Sequence, residues 1–260
     1  MAGMDEPTSV EVTVSAWAEV VWRWLRDPDL LEQWHGWQAP GLAGEIRRTF
    51  RDGAVEDPAA RRLVLEGGDT VVVLPQGDRS MVRLVRGSRT PQEAAEGEPA
   101  DNQDDGDDPT QDAEAPDDEV TESWRTFLQQ LRFAVERHPA DRRRTLHLDG
   151  ASTGAGPVAE ELHLDDLSSA PGASRYDEHV VDERLHGRVW FSSATQLGLV
   201  VDAWGDGLLV LRHRPASAAE PHGGATAVLS TYGLPDADFA DLQGRWRQWW
   251  GQRYAGADLP

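Results

Sequence analysis

The sequence predicts an α+β fold in two halves, each an antiparallel sheet followed by a long helix. Three observations predict it. The order strand, helix, antiparallel strands, long helix runs twice along the chain. Short turn signals, "QGD" at 76–78 and "GD" at 205–206, join neighbouring apolar runs as hairpins. The two long helices also share a pattern, "WRTFL" at 124–128 and "WRQWW" at 246–250, which suggests duplication.

The elements follow in order. "VEVTV" (10–14) alternates as a strand does, and Ser15 is placed to cap the next helix. That helix carries Trp17, Val20, Val21, Trp24 and Leu25 at helical spacing. Asp27 then caps a short second helix with Pro28 at its first position. Strands are expected at 44–50, 61–67, 70–75 and 80–86. The long helix "TESWRTFLQQLRFAVERHP" puts Trp124, Phe127, Leu128, Leu131 and Val135 on one face. In the second half, 144–150 reads as a strand and 157–167 as a helix. Four strands come next, "GRVWFS", "LGLVVDAW", "GLLVLRH" and "ATAVLSTY". The closing helix, expected over 236–254, presents Phe239, Leu242, Trp246, Trp249 or Trp250, and Tyr254 on one face. The domains expected are 8–140 and 143–256.

Composition narrows the chemistry. The chain of 260 residues has no cysteine, which removes disulfides, thiolate metal sites and cysteine nucleophiles. All 25 basic residues are arginine, so no lysine serves a P-loop or a Schiff base. Ile46 and Asn102 are the sole residues of their types, a bias that points to a GC-rich bacterium. The net charge is −21, and 14 of the 46 acids lie between Thr90 and Ser123. Segment 88–121 has almost nothing to bury against the roughly 1–2 kcal/mol cost of ordering each residue, so a disordered acidic insertion is expected. Within it, "DNQDDGDDPTQD" (101–112) has some calcium-loop positions, but Gln103, Pro109 and Asp112 depart from the pattern. No basic stripe exists to neutralise phosphates, which excludes nucleic acid as the expected partner. The N-terminal stretch lacks a basic and an apolar region, and no apolar run approaches the ~20 residues of a membrane span. A cytoplasmic protein is therefore expected.

Residues 10–37, "VEVTVSAWAEVVWRWLRDPDLLEQWHGW", carry Val21-Trp22, Leu25, Asp27-Pro28, Leu31 and Trp34. This pattern resembles the opening of the SRPBCC, or START-like, superfamily with its birch-pollen-allergen-like helix-grip fold. It looks most like the AHSA-like branch, named for the activator of the ninety-kilodalton heat-shock protein ATPase. The resemblance implies two helix-grip (START-like) halves, each a curved antiparallel sheet wrapped on a long C-terminal helix with a cavity between. Two departures stand out. The strand region 44–86 is short for a six-strand meander, and the second half lacks the Val-Trp helix and the Asp-Pro turn.

The cavity picture sets the candidates. Each tryptophan buries about 150–250 Å², worth roughly 4–6 kcal/mol as an upper figure. Trp22, Trp24 and Leu25 read as core. Trp34 and Trp37 read equally as core plug or ligand wall, and Trp246 and Trp250 as core with a share in pocket lining. The ligand-binding candidates are Trp34, His35, Trp37, Phe127, Trp204, Tyr232, Trp246 and Trp250.

Other motifs carry less. "GASTG" (150–154) matches a nucleophile elbow around Ser152, but no alternating α/β series surrounds it. His179, Asp182 and His186 lack a standard metal spacing. Arg188 and Arg212 would need a carboxylate or an anionic ligand if they faced inward. No catalytic residue, metal or cofactor is assigned. The leading expectation is non-enzymatic binding of a small hydrophobic or amphipathic ligand. A chaperone- or regulator-binding module is the second. A cyclase- or hydrolase-type enzyme using His35, Tyr232 or Asp202 is the third.

Overall fold

The computed structural model describes residues 8–87, 115–154, 156–170, 172–217 and 220–256. The acidic segment and its calcium-like stretch 101–112 lie outside them. The chain forms two compact units: Met1–Gly36 with Gly41–Pro139, and Trp37–Pro40 with Ala140–Pro260. The fold is α+β, with two curled antiparallel sheets, each packed on a long helix.

In the first unit, β1 (Ser9–Val14) alternates exposed and buried, so Val10, Val12 and Val14 face the core. The helix α1 (Ala18–Trp24) follows. Its N-cap is Trp17 rather than Ser15, and the Ser15 amide donates to Glu136 Oε1 at 2.7 Å instead. Asp27 does cap α2 (Pro28–Leu31), accepting from the Asp29 amide at 3.1 Å with Pro28 at the first turn. The stretch expected as a strand at 44–50 is instead α3 (Leu42–Arg47) running into a π-helical turn (Arg48–Asp52). Burial explains it: Ile46 and Phe50 are buried while Arg48 between them is exposed, whereas a strand would turn all three to one face.

The meander comprises β2 (Val55–Asp57), β3 (Arg62–Val64), β4 (Thr70–Gln76) and β5 (Arg79–Val85). The sheet order is β1-β5-β4-β3-β2. The two-residue loop Gly77–Asp78 joins β4 to β5 at the predicted turn. The long helix α4 (Ala115–Arg137) begins within the segment expected to be disordered. It buries Trp124, Leu128, Leu131, Ala134 and Val135 against the sheet valines.

The second unit opens with β6 (Arg143–Ser152). The single helix expected at 157–167 is two short ones, α5 (Val158–Glu161) and α6 (Asp165–Ser168), because His163 between them has φ +59. β7 (Arg175–Val180) is an additional strand, in the segment weighed as a metal site. Then come β8 (Glu183–Ser192), β9 (Gln196–Val201), a 3-10 turn (Asp202–Trp204), β10 (Gly207–Arg214) and β11 (Gly224–Tyr232). α7 (Asp236–Gly251) stops short of Tyr254, which the sequence pattern places in the helix and which instead lies in β12 (Tyr254–Ala255); the sheet order is β12-β6-β11-β10-β9-β8-β7. The core of this unit joins Leu199, Leu209, Leu211 and Leu229 of the sheet to Phe239, Leu242, Trp246 and Trp250 of α7.

The short segment 37–40 belongs to this second unit. Trp37 stacks on His147 at 3.5 Å with the rings 1° from parallel. The Gln38 side chain donates to Arg143 O at 3.1 Å and accepts from the Thr145 amide at 3.1 Å. Its amide thus occupies part of the edge of β6 that β12 leaves open, since β12 pairs only with Ala151 and Ser152.

Candidate ligand-binding cleft

A cleft of about 280 Å³ opens in the second unit between α7 and the end of the sheet. Leu234, Asp238, Asp241, Leu242 and Arg245 line one side, and Glu183, Ala203 and Trp204 the other. Local sequence puts them there. The β7–β8 hairpin turns on Val181 (φ 49) and Asp182 (φ 58), the two left-handed positions of a tight hairpin. A β-branched residue is strained in that region. Val181 is nonetheless buried in the core, which holds the turn and delivers Glu183 to the cleft. Across from it, the 3-10 turn ends at Gly205 (φ +70), where a Cβ would fall 1.7 Å from Tyr232 O, so only glycine lets Trp204 sit there.

Glu183 is the hub. Its Oε1 accepts from the indole N–H groups of Trp204 (3.3 Å) and Trp246 (3.5 Å), and Oε2 accepts from Arg245 Nη2 at 2.8 Å. The two indoles meet edge to face, centroids 6.0 Å apart, and both are essentially unexposed. The carboxylate is therefore oriented by rigid donors, and the apolar contribution comes from Trp204, Leu234 and Leu242.

The expected site residues divide into separate groups. Trp204 lines this cleft and Trp246 braces Glu183 behind it. Trp250 donates to Asp149 O at 3.3 Å and packs on Tyr254 at 4.4 Å. Tyr232 is buried at the end of β11, and that burial pushes its hydroxyl up to about 12.

Trp34, His35 and Phe127 gather in the first unit with Phe50 and Trp124, His35 lying 4.9 Å from both phenylalanine rings. Trp34 is fully buried, with its indole donating to Trp24 O at 3.0 Å. His35 Nε2 lies 3.1 Å from Glu45 Oε1, and this bond holds the Glu45 carboxyl below its usual range. Trp37 stands apart from that group, on His147.

The other motifs are placed as follows. Ser152 pairs with Tyr254 across β6 and β12, and its Oγ accepts from the Gly154 amide at 3.2 Å. His179 and His186 sit on the β7–β8 hairpin opposite Arg184 and Asp177, with Asp182 in the turn. Among the described residues no group of three His, Asp or Glu is arranged to hold a metal ion. Arg212 is buried in β10 and Arg188 is half-buried in β8.

Sequence reasoning missed Glu183, Asp238, Asp241 and Arg245. The available signal was Trp246 in "WRQWW": a buried indole N–H needs an acceptor, and a carboxylate is the strongest one.

No family model and no curated protein matches the chain. Among solved structures it is similar to DynU16, from the dynemicin biosynthetic locus, at 16% identity over 95% of each chain with a TM-score of 0.30. It is similar to the di-domain ARO/CYC BexL of the BE-7585A pathway at 14% identity, covering 92% of this chain and 88% of that one, TM-score 0.36. It is also similar to the di-domain ARO/CYC StfQ of the steffimycin pathway at 14% identity, 92% and 91% covered, TM-score 0.31. With scores of this size, the functional reading rests on the chain's own geometry.

Proposed function

We propose that the second unit binds a small amphipathic molecule in the cleft between α7 and the sheet, without transforming it. One observation carries this: a carboxylate fixed by two indole N–H groups opens onto a cleft that Leu234, Leu242 and Trp204 share with the charged side chains of α7. Fixed polar groups beside apolar side chains are what orient an amphipathic ligand. The volume of about 280 Å³ suits one ring with a short chain. The cysteine-free composition supports a cytoplasmic setting. The shared strand order of the two sheets supports reading the halves as copies, and Val21-Trp22 with Asp27-Pro28 supports the AHSA-like branch for the first.

Native mass spectrometry of the full chain purified from its source tests the reading. A retained small molecule is expected, and Ala203→Trp, which adds bulk from an exposed position in the cleft, is expected to remove it. Retention of the same mass by that variant refutes the site.

A second reading has its own observation. Trp17 and Val20 are 60% and 43% exposed at the start of α1, with Arg23 on the same helix and Arg61 paired to Glu19. An exposed tryptophan of this kind fits a protein-docking role in the first unit. Loss of a co-purifying partner in Trp17→Ser, with the fold unchanged, would establish it. The enzyme reading draws less support. His35 belongs to the first unit, whereas Tyr232 and Asp202 belong to the second, one buried and the other exposed beside His186 at 3.8 Å.

A further inference from the structure

We propose that the ligand of this cleft is an aromatic organic cation whose ammonium group takes the place of the Arg245 guanidinium on Glu183. The inference rests on the binding reading above and adds the chemical class.

The lining carries three carboxylates, Glu183, Asp238 and Asp241, against one guanidinium, that of Arg245. A neutral or anionic guest gains nothing from that excess, whereas a cation does. Glu183 is directed for the purpose. The two indoles occupy Oε1, which leaves Oε2 facing a cation, and in this state Arg245 supplies it.

Arg245 is a poor permanent occupant. It reaches Glu183 through Nη2 alone, not as a two-bond fork, and its Nε is buried with no acceptor among the described residues. Its side chain keeps a third of its exposure, so it can swing to water at little cost. The strained Val181–Asp182 turn and the buried indoles keep the carboxylate in place when the arginine leaves.

Two probes of equal shape separate charge from fit: phenethylammonium and 2-phenylethanol. Binding to the full chain is measured by calorimetry, and its location by the indole N–H resonances assigned with Trp204→Phe and Trp246→Phe. The ammonium is expected to bind at least about fivefold more tightly than the alcohol at low salt, a preference that shrinks at about 0.5 M salt. Arg245→Gln removes the internal competitor and should tighten the ammonium about threefold. Glu183→Gln should erase the preference and leave the alcohol within about twofold of its wild-type affinity. The exposed rim variant Asp241→Asn, which does not touch the core, should weaken the ammonium about twofold and guards against a folding defect in Glu183→Gln. Equal affinity for the two probes overturns the cation assignment and leaves the binding reading standing, as does a weaker ammonium affinity in Arg245→Gln. If neither probe moves the Trp204 and Trp246 resonances, both the assignment and the site fall.

Discussion

In both units the first strand lies beside the last strand of the meander, and the rest follow outward in reverse order of sequence. The first gives β1-β5-β4-β3-β2, the second β6-β11-β10-β9-β8-β7 with β12 added at the edge. In both, a tryptophan of the long helix donates its indole N–H to a carboxylate: Trp124 to Asp69 at 2.9 Å, Trp246 to Glu183 at 3.5 Å. What surrounds the carboxylate differs. Asp69 also takes Arg86 Nε at 3.0 Å and the Gly87 amide at 2.9 Å, and Arg86 reaches Thr121 at 3.2 Å. Both members of that ion pair are largely buried, so the first unit is sealed where α4 meets the sheet. Glu183 holds its indoles on a carboxylate that fronts a cleft. A single device, a carboxylate gripping a helix tryptophan, serves as a closed clamp in one unit and as an open receptor in the other.

The largest effect that tests this contrast is at the closed clamp. Asp69→Ala removes one acceptor shared by the buried Arg86, the Trp124 indole and the Gly87 amide, and should cost about 3–5 kcal/mol in denaturant unfolding. Glu183→Ala should cost less, about 2–3 kcal/mol, because Arg245 can turn to water and only the Trp204 and Trp246 N–H groups, at 3.3 and 3.5 Å, lose their acceptor. Equal losses would erase the distinction.

The next effect is alkaline. All three tyrosines of the chain, Tyr176, Tyr232 and Tyr254, lie in the second unit. Burial raises each hydroxyl, Tyr232 and Tyr254 to about 12. A raised folded value favours the neutral phenol, so stability is whole below the ordinary value near 10 and falls as pH rises toward 12. Phenolate absorbance should therefore rise in one cooperative step together with unfolding of the second unit. A smooth titration centred near 10 with the fold intact would contradict the burial.

A smaller change is expected at the hairpin. Val181→Asn relieves the left-handed strain, worth about 1–2 kcal/mol, but gives up a buried valine, so net stability should change by less than about 1 kcal/mol. The smallest effect is acidic and belongs to the first unit. The His35 bond lowers Glu45, so its contribution is present above the ordinary value of 4.5 and is lost as pH falls through the folded one. Glu45→Gln should flatten that limb of the first unit's stability profile and leave the alkaline step unchanged.

Particular residues show how far the sequence could be read. The hairpin at Gly77 and the buried face of α4 were legible because their signals are local: a turn glycine, and bulk at helical spacing. The stretch 44–50 misled because "EIRRTF" offers only two large apolar residues, and a spacing of four fits one face of a strand as well as one face of a helix. β7 was obscured by "YDEHV", whose charged residues lie on an exposed edge strand where polarity is tolerated. Glu183 had no local mark among 46 acids. Its role comes from Trp204 and Trp246, which lie 21 and 63 positions away in sequence, and only folding brings them to it.

Gln38 has a practical consequence for anyone cutting this protein into pieces. A fragment starting at residue 140 would keep every strand of the second sheet but lose the amide that covers Arg143 and Thr145 and the indole lying on His147. The bared backbone would be a template for another chain. Such a truncation should self-associate, and grafting the tetrapeptide 37–40 back onto its N-terminus through a flexible linker is the natural remedy.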